Sequence, residues 1–353
     1  MNKLEKIRAS FQSLGIDGMF VTSPYNLRYM TSFTGSTGVA LISEDRSFFI
    51  TDFRYAEQAE NQAQEYEISI HSGPLLEEVA ERVKELGIQK LGFEQDYMSY
   101  STWTKYNQTI PVEFVPVSNV MEQMRLIKTN DEIAKIKVAA DIADAAFKHI
   151  LDFIEPGKTE LEVSNELEFF MRKCGATSSS FDTIVASGKR SSMPHGVATD
   201  KVIEKGDFVT MDYGALYNGY VSDITRTIAV GEPAPSLKEI YDVTLAAQLR
   251  AMEKIKPGMT GREADAIARD YMTEKGYGEY FGHSLGHGIG LEVHEGPGLS
   301  KRSENKLQPG MVVTVEPGIY LPNIGGVRIE DDTLITDKGN EALTHSTKDL
   351  IIL

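Results

Sequence analysis

The chain has 353 residues, with 52 acidic against 36 basic side chains and a net charge of −16. That charge repels phosphate backbones and anionic lipid, so nucleic acid and membrane surfaces are set aside as partners. The length suggests about two domains, no apolar run is long enough to span a bilayer, and the single cysteine, Cys174, excludes an internal disulfide.

In chain order, the N-terminus reads as an amphipathic helix with Leu4, Ile7, Phe11 and Leu14 on one face, not as an export signal. With the lone cysteine this points to a reducing, cytoplasmic compartment. Short apolar runs at Gly18 to Val21, Val39 to Ile42 and Phe48 to Ile50 predict strands, and Leu75 to Leu86 predicts a helix. This alternation is that of a small α/β domain. Strand signals stop around Pro116 to Met124, and Thr129 with Glu132 forms a capping box that opens a helix running to about Phe153. A boundary between Val120 and Thr129 gives domains of 1–124 and 125–353. Cys174 falls just before Gly175 in a helical pattern and is expected to be a half-buried helix-end residue rather than a nucleophile.

The second part resembles itself at a spacing of about one hundred residues. Ile154-Glu155-Pro156-Gly157-Lys158-Thr159, with Glu162, matches Ile255-Lys256-Pro257-Gly258-Met259-Thr260, with Glu263. Each copy is a Pro-Gly turn, then a capping box, then a helix that ends at a glycine, Gly175 or Gly276, suited to a left-handed terminus. Further on, Phe208-Val209-Thr210-Met211-Asp212 aligns with Val312-Val313-Thr314-Val315-Glu316. Asp223, within the strand-like run Val221 to Ile228, falls near Glu330, within Val327 to Ile335. Two copies of one αβ unit, each ending in two acidic residues, imply a pseudo-twofold domain with four carboxylates at its axis.

Acidic residues in apolar strands are costly unless paired, because a buried carboxylate protonates rather than stay charged. Two divalent cations would neutralise all four, and oxygen ligands with one imidazole suit manganese, cobalt or zinc. The imidazole is expected from the segment His283 to His294, which holds three of the seven histidines. His283 and His287 lie four apart, but the surrounding glycines argue against a continuous helix there. His195 occupies roughly the place in the first copy that His294 occupies in the second, so the two could face each other across a site. His71, His149 and His345 lack such context.

Met211-Asp212-Tyr213-Gly214, Ser222-Asp223-Ile224-Thr225-Arg226-Thr227, His283 to His294, Thr314-Val315-Glu316-Pro317-Gly318 and Val327-Arg328-Ile329-Glu330-Asp331 occur in that order. The set resembles the metallopeptidase clan that includes aminopeptidase P, prolidase and methionine aminopeptidase, whose catalytic domains share the pseudo-twofold pita-bread fold. Tyr25 to Gly35 resembles a motif of the creatinase-like N-terminal domain carried by aminopeptidase P and prolidase. The resemblance implies a metal-dependent Xaa-Pro peptidase, either a dipeptidase or an aminopeptidase P, acting on a peptide with proline at the second position.

By the same resemblance, Asp212, Asp223, His287, Glu316 and Glu330 hold two metal ions, manganese first, with cobalt and zinc as alternatives. Asp212 is bidentate on one ion, Asp223 and Glu330 bridge, and His287 and Glu316 complete the other. The expected mechanism has a bridging water give its proton to Glu316 and attack as hydroxide, with His294 and His195 stabilising the developing charge. His283 and Arg328 contact substrate, with an ion pair to a ligand carboxylate as the equal alternative for Arg328. A homodimer is expected. The competing readings are a methionine aminopeptidase, a metal-independent creatinase-type hydrolase and a non-catalytic peptide-binding member of the fold.

Overall fold

The structure, a computed structural model, describes residues 2–353. The chain divides into two compact units, 1–125 and 126–353.

The N-terminal unit is built on a six-stranded mixed sheet. Its order is Glu67–His71, Ser47–Asp52, Val39–Ser43, Gly18–Val21, Lys90–Glu94, Glu113–Val117, with antiparallel pairing among the three strands from Ser47–Asp52 to Gly18–Val21 and parallel pairing outside them. Phe20, Leu41, Ile50 and Leu91 form its buried centre, with Val79 and Val83 of helix Leu75–Glu85. Helix Lys3–Leu14 buries Leu4, Ile7 and Phe11, as its periodicity predicts, while Leu14 is half-buried. Ser23 caps helix Pro24–Thr31, which takes in the first part of the Tyr25 to Gly35 segment.

The C-terminal unit repeats one design twice. Helices Glu160–Lys173 and Gly261–Glu274 each begin with the predicted capping box, from Thr159 with Glu162 and from Thr260 with Glu263. Gly175 and Gly276 follow with φ of 108° and 85°, a left-handed conformation that favours glycine. Each half has its own core. Val163, Leu167, Val209, Met211 and Ile224 pack in the first, and Ala264, Ala268, Val313, Val315 and Ile329 in the second.

Beside the helices, Phe208–Tyr213 pairs antiparallel with Ile224–Ala229, placing Asp212 opposite Thr225. In the second half Val312–Val315 pairs antiparallel with Asp331–Ile335. The C-terminal segment returns to the first half, where Leu353 N–H donates to the Ala229 carbonyl and Ala229 N–H to the Ile351 carbonyl.

Four expectations need correction. Helix Asn130–Ile150 ends before Phe153, in a turn. Asp223 is not inside a strand, because the run Val221 to Ile228 breaks into Tyr220–Val221 and Ile224–Ala229. Glu330 likewise falls between Gly325–Arg328 and Asp331–Ile335, so Arg328 and Glu330 do not share one continuous strand. Cys174 is exposed rather than half-buried. No helix among the described residues is long and apolar enough to cross a membrane.

Candidate metal centre

Strand alternation decides which side chains meet. On Phe208–Tyr213, Val209, Met211 and Tyr213 enter the core of the first half, while Thr210 and Asp212 take the opposite face. On the neighbouring strand Thr225 and Thr227 stand opposite them, and the Thr210 and Thr227 hydroxyls lie 3.0 Å apart. This polar face continues into Glu330, whose carboxylate accepts from Thr225 Oγ1 at 2.5 Å.

Three glycine positions bring the remaining ligand candidates close. A Cβ at Gly214 would sit 1.8 Å from the Ser222 carbonyl oxygen, so only glycine lets the chain before Asp223 cross there. A Cβ at Gly286 would meet the Thr314 carbonyl at 2.0 Å, and one at Gly288 the Gly296 carbonyl at 1.9 Å. His287 is therefore held in a short strand, Gly286–Gly288, pressed between two others, not on a helix.

The side chains converge. Asp212, Asp223 and Glu330 each offer a carboxylate oxygen, all within 4.8 Å of one another. His287 Nε2 lies 3.3 Å from Glu316 Oε1 and 3.9 Å from Asp223 Oδ2. These five residues, with His195, His283, His294, Arg328 and Phe181, line one cavity of about 540 Å³. The His287 and His294 rings are 4.3 Å apart between centroids. His195 and His294 are exposed at the cavity wall, so the cavity includes both of the paired histidines.

The electrostatics are those of a site short of positive charge. Burial, then the neighbouring carboxylates Glu330 and Asp212, push the Asp223 carboxyl well above its ordinary range. Glu330 is driven up in the same way by burial and by Glu316 and Asp212. Burial pushes Glu316 up to about 8, against the pull of Arg328. The same burial lowers His283 and His287 to about 4. Buried oxygens Asp212 Oδ1 and Asp223 Oδ1 have no hydrogen-bond partner among the described residues. Unpaired buried acceptors beside mutually repelling carboxylates are costly without a cation, and a cation among these oxygens and the His287 nitrogen satisfies both demands. The donor set therefore fits divalent metal.

For Arg328 the structure carries the ion-pair alternative. Its guanidinium, buried to 3 % exposure, binds Asp212 Oδ2 at 2.5 Å, Tyr320 Oη at 2.7 Å and Thr225 Oγ1 at 3.1 Å. Tyr320 also meets His283 Nε2 at 2.9 Å, and His283 Nδ1 lies 2.8 Å from the Ser284 carbonyl. Tyr320, Thr225 and Asp332 are absent from the sequence-derived site. Asp332, fully buried, accepts the Asp223 N–H at 2.9 Å. Its sequence signal is its place as the last of three consecutive acids, Glu330-Asp331-Asp332.

A pseudo-twofold unit whose halves deliver carboxylates and an imidazole to one cavity is the pita-bread class of metal-dependent hydrolase. The profile of metallopeptidase family M24 matches residues 134–337, and that of the creatinase/prolidase N-terminal domain matches residues 3–127. The chain is 43% identical to the Xaa-Pro dipeptidase of Pyrococcus furiosus, over 99% of each chain. Among solved structures it is similar to an Xaa-Pro dipeptidase from Bacillus anthracis, with a TM-score of 0.98, 65% identity and 99% of both chains covered. It is also similar to an X-Pro aminopeptidase from Thermotoga maritima, with a TM-score of 0.92, 41% identity, and 98% of this chain and 100% of that one covered. The chain belongs to metallopeptidase family M24 and carries the creatinase/prolidase N-terminal domain. It is an enzyme of that family, which works with divalent metal.

Proposed function

We propose that this enzyme is a dinuclear Xaa-Pro peptidase that cleaves the bond between an N-terminal residue and proline, as an Xaa-Pro dipeptidase or an aminopeptidase P. The observation that carries the reading is the pair of unpartnered buried oxygens on Asp212 and Asp223, set beside Glu330. The activities named for the relatives supply the bond that is cut.

Asp212, Asp223, His287, Glu316 and Glu330 would hold two divalent ions, manganese first and cobalt or zinc as alternatives. When bound, the ions supply Lewis acidity and bring the pKa of a water toward neutrality. Glu316, tethered by the Thr314 hydroxyl at 3.1 Å, takes the proton from the attacking water. His294 and His195, on the cavity wall, donate hydrogen bonds to the carbonyl oxygen as charge develops on it. His283 faces the substrate. Arg328, committed to Asp212, Thr225 and Tyr320, fixes that wall from behind. The enzyme is expected to act in the cytoplasm as a homodimer.

The test is hydrolysis of Ala-Pro and Ala-Pro-Ala by metal-stripped protein before and after adding manganese. Cleavage of the dipeptide alone identifies a dipeptidase, and cleavage of the tripeptide an aminopeptidase P. Absence of metal-restored activity on both overturns the Xaa-Pro reading.

A further inference from the structure

Behind the carboxylates, on the opposite face of the paired strands Phe208–Tyr213 and Ile224–Ala229, lies a second cluster of charge that the proposed chemistry does not use. Arg226 pairs across the strands with Met211, away from the Asp212 face, and is 1 % exposed. Its Nη1 donates to the Thr225 carbonyl at 2.9 Å and to the Glu330 carbonyl. Nη2 donates to Asp331 Oδ1 and to the Ser346 carbonyl, both at 2.7 Å, and Nε to the Thr347 carbonyl at 3.0 Å. All five guanidinium donors are engaged.

Asp331 is as fully used. Besides Arg226 it accepts from Gln248 Nε2 at 2.8 Å, Lys348 Nζ at 2.6 Å and Thr344 Oγ1 at 3.0 Å. The segment that supplies Thr344, Ser346, Thr347 and Lys348 is pinned in turn by Asp144, which accepts the His345 and Ser346 N–H groups at 2.6 and 2.8 Å.

A buried ion pair is weak support for stability, because desolvation offsets much of its Coulomb energy. What this one does is geometric. The Glu330 side chain takes the Thr225 hydroxyl, its N–H donates to the Thr225 carbonyl at 3.1 Å, and its own carbonyl is held by Arg226. We propose that Arg226 is a positioning residue for the metal pair, holding Glu330 against Thr225 from behind, and that residues 344–348 are the strut on which it rests. Lysine, with three donors on one nitrogen, cannot span these acceptors. The inference rests on the metal-site reading above.

The experiment is calorimetric titration of metal-free protein with manganese chloride, alongside the melting temperature of the metal-free form. Arg226→Lys is expected to weaken manganese binding by roughly 10- to 100-fold, the usual scale for a residue that orients a ligand, and Lys348→Ala by several-fold. Val163→Ala, a cavity in the first-half core, is expected to lower the melting temperature and leave affinity unchanged. Isotherms of Arg226→Lys and Lys348→Ala that superimpose on wild type overturn the proposal. So does a loss in Val163→Ala as large as theirs. Should Arg226→Lys not fold, Lys348→Ala and Thr344→Val decide the matter by the same criterion. Wild-type protein that takes up no manganese overturns the metal-site reading itself, an outcome distinct from either of these.

Discussion

In the first half of the catalytic unit a helix of 14 residues starts from Thr159 and ends before Gly175, and in the second a helix of the same length starts from Thr260 and ends before Gly276. The residues each half sends to the cavity differ far more. The first contributes three aspartates, Asp182, Asp212 and Asp223, and His195. The second contributes two glutamates, with His283, His287 and His294. The duplicated parts answer local demands that are identical in both halves, namely capping N–H groups and closing a helix. The divergent parts face a substrate with no twofold symmetry, so the two sides cannot share one chemistry.

The strongest way to break this comparison is to remove a ligand candidate from the first half alone. Asp223→Ala is expected to abolish metal uptake and reduce activity to background, measured by metal analysis of the dialysed protein together with hydrolysis of Ala-Pro. Retention of the full metal complement would show that the site holds metal without Asp223. Next in size, His294→Ala is expected to lower kcat by roughly 10²- to 10³-fold with metal content nearly unchanged. Full turnover in that variant would remove His294 from the chemistry.

A smaller effect tests the shared cavity. Asp223, Glu316 and Glu330 have carboxyls raised in the folded, metal-free protein, so folding binds protons there and stability falls as pH rises. His283 and His287, lowered from 6.5 to about 4, act in the opposite sense, adding stability as pH rises until they are neutral in the unfolded chain as well. Between pH 6.5 and about 8, where Glu316 loses its proton, only the carboxylates count. Thermal melts of metal-free protein should therefore show a falling melting temperature across that window, and added manganese should reverse the trend. A flat profile would mean that the carboxylates are not raised.

Smallest of all, Thr159→Ala and Thr260→Ala should each cost about 1 kcal/mol, read by denaturant unfolding. The two losses should be alike. A marked inequality would mean that the halves are not equivalent even in their scaffolding.

The parts of the fold written in local chemistry are legible in the sequence. The capping boxes at Thr129, Thr159 and Thr260 are formed as predicted, because each needs only a hydroxyl and a carboxylate three residues apart. The repeat also places Asp212 and Glu316 at matching strand ends, and the cavity brings both to its wall. The breaks at Asp223 and Glu330 are hidden, because apolar residues flank both sites and read as continuous strands. Nor does any local pattern reveal the chain of contacts from His283 through Tyr320 to Arg328 and Asp212. Its last link joins residues 116 positions apart, and only tertiary packing creates it. Arg226 and Asp331 stand in the resembling segments, yet their partners in the C-terminal segment carry no motif.

The strand Gly286–Gly288 also constrains how the protein can change over generations. At 286 and 288 any side chain would collide with a neighbouring carbonyl, so those positions are closed to variation. Residue 287 between them points into the cavity and meets no such wall. A lineage that abandoned metal could therefore exchange His287 in a single step and keep its backbone, so descent into a non-catalytic binding protein would begin at the ligand and leave the scaffold around it as a record of the lost site.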